Sequence, residues 1–408
     1  MAEPVPPGGW EGYERGSAGY RRVLLALLCA GVATFAQLYS VQGVLPLMAA
    51  DLGLDAAQAS LGVSAATLGL AVAVLPWSVV SDRWGRLRTM VVAVAAATVL
   101  GLAMPLAPGF GAVVVLRFVE GAALGGIPAV AMAYLAEEVD SRHSAVAAGT
   151  YVAGTSLGGL AGRIVAAPVG DALGWRTGTI TVSVLAALAA VGFVLLAPRQ
   201  RGFVRQSVRL TGPGGLLGRL RANLADAGLV VLYLQGFLLM GGFVAIYNYL
   251  GFHLGEEPFG VSQTVVSLLF LAYLSGTWSS GTAGRAAAAR GRRVVLAGSG
   301  TLMLAGLLGT LVPSIPVVVA GLLLFTAGFF AAHAVASGWV PVRSRTGTAQ
   351  ASSLYTLFYY AGSSVLGSAG GVFYTRSGWG GAVGFVAALV VAAVVLALVA
   401  LREPRPAS

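Results

Sequence analysis

Lysine is absent from this 408-residue chain: all 25 basic residues are arginine, and only 15 acids oppose them. Charged residues make up 10% of the sequence, 57% is hydrophobic, and mean hydropathy is +0.84. A soluble domain of this length needs a charged surface that so few residues cannot cover, so the solvent of this chain is a bilayer. Cysteine is nearly missing as well. Cys29 stands alone inside an apolar run, which excludes an internal disulfide or a thiolate metal cluster. His143, His253 and His333 are dispersed and form no metal constellation. No nucleophile–base pairing or His/Asp/Glu cluster stands at either end of the apolar runs, which argues against an enzyme and leaves no cofactor to place.

What is present is long apolar sequence. Twelve stretches, each long enough to cross about 30 Å of hydrocarbon as a helix, lie at 22–49, 57–80, 88–106, 111–135, 144–167, 177–197, 227–253, 262–283, 294–312, 317–340, 348–373 and 380–401. Their uninterrupted apolar character predicts helices, because barrel strands would alternate every second residue.

The few charges orient these spans. Arg117 and Arg163 lie inside spans, Arg176 and Arg376 fall on one side, and every other arginine falls on the opposite side. The poorer side carries Asp51, Asp55, Asp171, Glu256 and Glu257. The positive-inside rule predicts that both termini and the central loop are cytoplasmic in a multi-pass membrane protein. A net charge of +10 spread over membrane-edge loops fits topology and anionic lipid rather than nucleic acid.

The Pro/Gly-rich segment 1–20 is expected to be a disordered cytoplasmic tail. Residues 198–226 form an arginine-rich linker between six spans (21–197) and six more (227–402), with a short tail at 403–408. A repeat accompanies this division. Ala153–Arg163 matches Ala361–Gly371 at an offset of 208, as Tyr39 and Gly43 match Tyr247 and Gly251, and the arginine-rich turns Trp77–Arg88 and Trp278–Arg293 align at 206.

With these residues in view, the chain resembles a twelve-helix member of the major facilitator superfamily over residues 20–402, in its drug–proton antiporter group and nearest the YnfM-like subgroup. Asp82, Arg83, Gly85 and Arg86 match the family loop Gly-x-x-x-Asp-Arg-x-Gly-Arg between helices 2 and 3, with Ser78 in place of the first glycine. The second copy keeps Gly284, Gly291, Arg292 and Arg293 but has Ala288 where the aspartate would stand. The resemblance implies an all-α integral membrane protein of two pseudo-symmetric six-helix bundles. It also implies a conformational latch, in which Asp82 meets a helix of the other bundle and Arg86 pairs with Glu137 or Glu138. A charged loop with solvated side chains is the alternative.

Inside the spans, Arg117 and Glu120 stand at i and i+3, on one helix face. Each charge costs roughly 2.5–3.5 kcal/mol at mid-helix on insertion scales, which disfavours lone placement against lipid. They resemble the family motif Arg-x-x-Gln-Gly with Glu120 replacing glutamine, and a carboxyl can carry a proton where an amide cannot. A purely structural pair is the other reading. Arg163, ending Gly158–Arg163, can cap a substrate carboxylate, compensate Glu120 or snorkel to the interface. His333 can relay protons or simply pack. The resemblance implies that helices 1, 4, 7 and 10 line the central cavity, which makes Tyr39, Gln42, Tyr247, Asn248 and His333 candidates for substrate contact, with Tyr355, Tyr359 and Tyr360 of helix 11 beside them.

The expected function is proton-coupled efflux of small organic or amphipathic compounds by alternating access, with the proton gradient as energy source and Glu120, Arg117 and His333 as coupling residues. The alternative is transport of an organic anion or sugar, with Arg117 and Arg163 as anion ligands. The expected partners are the bilayer, a small-molecule substrate and protons, and the protein is expected to act as a monomer.

Overall fold

The computed structural model describes residues 10–205 and 215–401. The start of the amino-terminal tail (1–9), the linker centre with Arg209 (206–214), and the tail from 402 onward with Arg402 and Arg405 lie outside the described residues. Among the described residues there is no strand, only an isolated bridge between Tyr13 and Val139. The helices are α1 (Ala18–Leu38), α2 (Leu45–Leu52), α3 (Ala56–Trp84), α4 (Arg86–Ala103), α5 (Phe110–Leu124), α6 (Pro128–Glu138), α7 (Ser144–Leu173), α8 (Trp175–Leu196), α9 (Leu216–Ala225), α10 (Ala227–Gly255), α11 (Gln263–Leu268), α12 (Tyr273–Arg290), α13 (Arg292–Gly309), α14 (Ile315–Arg343) and α15 (Thr348–Ala400).

Joining the pieces gives twelve spans among the described residues. α1 and α2 form one apolar run, Ala18–Leu52, and α5 and α6 another, Phe110–Glu138. α15 breaks at Ser377 (φ −139°) and Gly378 (φ 59°), so it holds two spans. α11 and α12, joined by the 3₁₀ turn Leu269–Ala272, form the eighth span, and the short α9 belongs to the linker. The first, fourth and eighth spans, read from sequence as continuous, are therefore broken helices. Residues 10–17 also differ from expectation. They fold back on the end of α6, where the Tyr13 amide donates to the Glu138 carbonyl at 2.8 Å, instead of forming part of a disordered tail.

The chain divides into two compact units, Met1–Val44 with Ala65–Val208, and Leu45–Ser64 with Arg209–Ser408. In the first, α1 packs on α7 and α8. The contact is a ladder of small residues. A Cβ added at Gly154, Gly158 or Gly162 would lie 2.5 Å from the carbonyl oxygen of Leu28, Val32 or Ala36 respectively. Without side chains at every fourth position of α7, the two backbones touch, which supplies the van der Waals contact that lipid-solvated helices rely on. In the second unit α10 packs on α15, and a Cβ at Gly362, which is 208 residues after Gly154, would lie 2.1 Å from the Phe237 carbonyl. The segment 45–64 joins this unit, where the Ser364 hydroxyl donates to the Ser64 carbonyl at 2.7 Å.

The two arginine-rich turns share a backbone. Gly85 has φ +100° and Gly291 φ +90°, with ψ of 149° and 143°. Both cap the following helix in a region open to glycine and strained for any L side chain.

We predict that Gly158→Ala, which pushes α7 off α1, lowers the thermal unfolding midpoint in detergent by the equivalent of about 1–3 kcal/mol. Gly149→Ala, on the same helix with nothing within 4 Å, should be neutral or stabilising by up to about 1 kcal/mol.

Candidate functional site

The break in the first span exposes backbone at membrane depth. α1 ends at Leu38, and the chain continues through i→i+3 bonds, Ser40 amide to Gln37 carbonyl at 3.3 Å and Gln42 amide to Tyr39 carbonyl at 3.1 Å. The last carbonyls of a helix have no intrahelical donor, and hydrocarbon offers no water to replace it. Arg117 of α5 does so. Its Nη1 donates to the Gln37 carbonyl at 3.1 Å, and its Nη2 donates to the Leu38 carbonyl. A cation there also meets the negative end of the α1 dipole.

The same Nη1 donates to Glu120 Oε2 at 2.6 Å, one turn along α5. Both side chains are buried, Arg117 at 0% exposure and Glu120 at 1%. The i, i+3 pair inferred from sequence is therefore formed, and its arginine has a second task in the helix end. Two buried acceptors in this cluster, Glu120 Oε1 and Gln37 Oε1, meet no donor in hydrogen-bonding geometry. Their side chains lie together over Gly101 of α4. A Cβ at Gly101 would sit 1.2 Å from Gln37 Nε2 and 2.9 Å from Glu120 Oε1.

Arg163 of α7 reaches the other side of the break. Nε donates to Gln42 Oε1 at 2.7 Å, Nη1 donates to the Gly159 carbonyl at 2.6 Å, and the guanidinium lies 4.1 Å from the centre of the Tyr39 ring. At 2% exposure it does not snorkel. Gly43 lets the chain pass close by, since a Cβ there would be 2.7 Å from the Arg163 carbonyl. Tyr39, Gln42 and Arg163, three substrate candidates, are thus brought together, and both intramembrane arginines converge on residues 37–43.

The second unit holds an aromatic cluster instead. Phe243 of α10 stacks on Phe329 of α14 at 4.0 Å and contacts Tyr247 and Tyr273 at 4.9 and 5.3 Å. His333 Nδ1 shares a hydrogen bond with the Tyr355 hydroxyl at 2.9 Å, and its ring lies 4.7 Å from that of Tyr359. His333 and Tyr359 are partly exposed. Tyr247 and Asn248 are buried at 1% each, with the Tyr247 hydroxyl 2.7 Å from Thr326 Oγ1, so these two candidates sit inside the packing.

At the arginine-rich end of the first unit, Arg86 is held by three neighbours. Nε donates to Glu137 Oε1 at 2.9 Å, Nη1 donates to Ser81 Oγ at 2.7 Å, and Asp82 is ion-paired with it. Of the two acids considered for Arg86, Glu137 is the partner. Glu138 turns away, and its Oε1 accepts from the Arg201 and Gly202 amides at 2.6 and 2.8 Å. Arg83 is exposed. In the second unit Asp226 Oδ1 accepts from Arg343 Nε at 2.9 Å and caps α10 at the Leu229 amide. Burial pushes the Asp226 carboxyl up, but the bonds from Arg343 and these amides outweigh it and hold it below its ordinary range.

Sequence reasoning missed Gln37, Gly101 and the dual role of Arg117. Gln37 carried a signal, being an amide inside an apolar span; Gly101 carried none, because its importance lies in a neighbour 64 residues away in sequence.

The model of the Major Facilitator Superfamily matches residues 27–279. The chain is 41% identical over 94% of its length to the inner membrane transport protein YnfM of Escherichia coli, covering 91% of that protein. It is 37% identical to the uncharacterized MFS-type transporter YybF of Bacillus subtilis, over 93% of each chain. Among solved structures, a D-xylose–proton symporter superposes with a TM-score of 0.74 at 15% identity, over 95% of this chain and 98% of that one, a likeness of fold.

Arg117→Leu orphans a carboxylate and the Leu38 carbonyl, while the Gln37 carbonyl keeps the Ser40 amide and hydroxyl, and we expect a loss of about 3–5 kcal/mol of stability, the cost of breaking a buried pair. Glu120→Gln keeps the shape and an acceptor and should cost about 1 kcal/mol. Thermal unfolding of the two purified variants measures the order.

Proposed function

The chain belongs to the major facilitator superfamily, and on that premise we propose that it is a proton-coupled exporter of small organic, amphipathic compounds. It works by alternating access in the bacterial inner membrane, with both termini in the cytoplasm. It is a transporter and not an enzyme. The observation that carries the proton reading is the buried Glu120 carboxyl, whose Oε1 meets no donor in hydrogen-bonding geometry, with the Gln37 amide beside it over Gly101. A buried carboxylate oxygen short of donors is costly. One proton on Glu120 removes that cost together with the charge that holds Arg117. Protonation thus changes the ligation of the α1 end, and this is a local switch for a conformational cycle.

Substrate recognition falls to the partly exposed aromatic surface around His333 and Tyr359. Flat ring faces suit planar, apolar molecules, and the His333–Tyr355 pair offers one polar handle. His333 is a second proton-bearing group, in the other unit from Glu120, so protonation and substrate can act on different bundles. The Asp82–Arg86–Glu137 cluster serves as the latch that closes one state. The inner-membrane assignment takes support from the named location of the Escherichia coli relative and from the arginine distribution.

The test begins with a thermal-shift screen of drugs, sugars and organic acids at two pH values, followed by transport of the hit into proteoliposomes under an imposed pH gradient. Glu120→Gln should lose gradient-driven accumulation by on the order of tenfold or more, the usual scale of a coupling free energy, while gradient-independent counterflow persists. Unchanged pH dependence in that variant rejects Glu120 as the proton carrier, and loss of counterflow makes it a binding residue instead.

A further inference from the structure

Two segments outside the membrane spans of the first unit converge on a single helix end. From the amino-terminal side, Trp10 Nε1 donates to the Glu137 carbonyl at 3.1 Å, the Tyr13 amide donates to the Glu138 carbonyl at 2.8 Å, and the Asp140 amide donates back to the Tyr13 carbonyl at 3.3 Å. From the linker, the Arg201 and Gly202 amides close on Glu138 Oε1, and Gln200 Oε1 accepts from the Leu87 amide at 3.0 Å. The two segments also touch each other, since the Arg201 guanidinium lies 5.2 Å from the Trp10 ring centre and 5.9 Å from that of Tyr13.

The approach is close enough to need glycine twice. A Cβ at Gly12, which has φ +94°, would lie 2.4 Å from the Asp140 amide, and one at Gly202 would lie 1.9 Å from the Glu137 carbonyl. Glu138 is the hub. It is 0% exposed and its Oε2 meets no donor, so the two amide bonds on Oε1 are what hold this buried carboxylate in place. Its neighbour in sequence is Glu137, the acid that grips Arg86, and Phe203 lies against the same Arg86 guanidinium at 5.7 Å.

The second unit repeats the plan with exchanged charges. The segment entering its first helix closes on the end of α14: Arg343, 206 residues after Glu137, bonds Asp226, and Asn223 donates to the Gly347 carbonyl at 3.3 Å. The linker is therefore anchored at its start on one fourth-helix end and at its finish on the corresponding one.

We propose that Trp10–Glu14 and Gln200–Phe203 form a clasp around the end of α6, with Glu138 as its positioning residue, that holds Glu137 on Arg86 and so biases the transport cycle toward the latched state. The inference rests on the latch reading of Asp82, Arg86 and Glu137. The clasp touches neither the proton site nor the aromatic cluster. It sets how often the arginine-rich face opens, leaving what is bound unchanged.

The experiment uses the full chain in nanodiscs, with Cys29→Ser and spin labels on cysteines placed at Ser141 and Thr346, one in the arginine-side loop of each unit. Pulsed electron resonance then gives the distance distribution across that face. Glu138→Ala and, independently, deletion of residues 1–13 should each raise the ratio of open to closed populations about fivefold or more, while Glu138→Gln, which keeps an acceptor for both amides, stays near the parent. The deletion removes no membrane helix, so it stands if Glu138→Ala fails to fold. Distributions in the clasp variants identical to the parent's overturn the proposal, whatever Arg86→Ala does. Arg86→Ala in the same background judges the latch separately, since a silent Arg86→Ala rejects the latch itself.

Discussion

The grip of Arg117 on the broken end of the first membrane helix is the interaction on which the rest of the first unit depends. A helix that stops in hydrocarbon leaves carbonyls that must be satisfied, and a buried guanidinium needs acceptors and a counter-charge. Each defect answers the other. The carbonyls of Gln37 and Leu38 take two of the Arg117 donors, and Glu120 supplies the charge. Arg163 does related work below the break, holding Gln42 while stacking on Tyr39. The broken region ends just before Leu45, where the chain passes from the first compact unit to the second. Arg117 therefore links the charge of Glu120 directly to the backbone of residues 37–38.

The two units share a scaffold and divide the chemistry. Glycine contacts between the first and fifth helices recur in both, and the positive-φ glycines at 85 and 291 turn the chain in the same way. The interiors differ. The first unit buries ions against backbone, whereas the second stacks rings from Phe243 to Tyr359 with His333 at the edge. Under the proposed function, this division would let a proton and an organic molecule compete through conformation rather than through one shared contact.

Much of this was legible in the sequence, for physical reasons. Twelve spans follow from apolar length, because bilayer thickness is a fixed ruler. The pairing of Arg117 with Glu120 follows from spacing and from the cost of a lone charge in lipid. The family resemblance assigned Arg86 an acid at the end of the fourth helix, and Glu137 is that acid. What could not be read off was non-local. The helix break at Tyr39–Val41 carries no proline, glycine or charge as a marker, whereas that at Gly125–Ile127 carries a Gly-Gly pair with Pro128 after it, a breaker signal outweighed by the apolar length of the span. The amino-terminal segment looked disordered because Pro and Gly dominate its composition; the order of residues 10–17 comes from Trp10 and Tyr13 meeting Glu137 and Glu138, more than a hundred residues away.

The central claim, that Glu120 is a proton-carrying group and not a permanently ionised structural partner, is tested most directly by infrared difference spectroscopy of the purified protein titrated in pH. The account predicts a protonated-carboxyl band that appears and disappears within the working pH range, is absent in Glu120→Gln, and is accompanied by amide changes assignable to Gln37 by its substitution. A carboxyl spectrum identical in the parent and in Glu120→Gln throughout that range would contradict it.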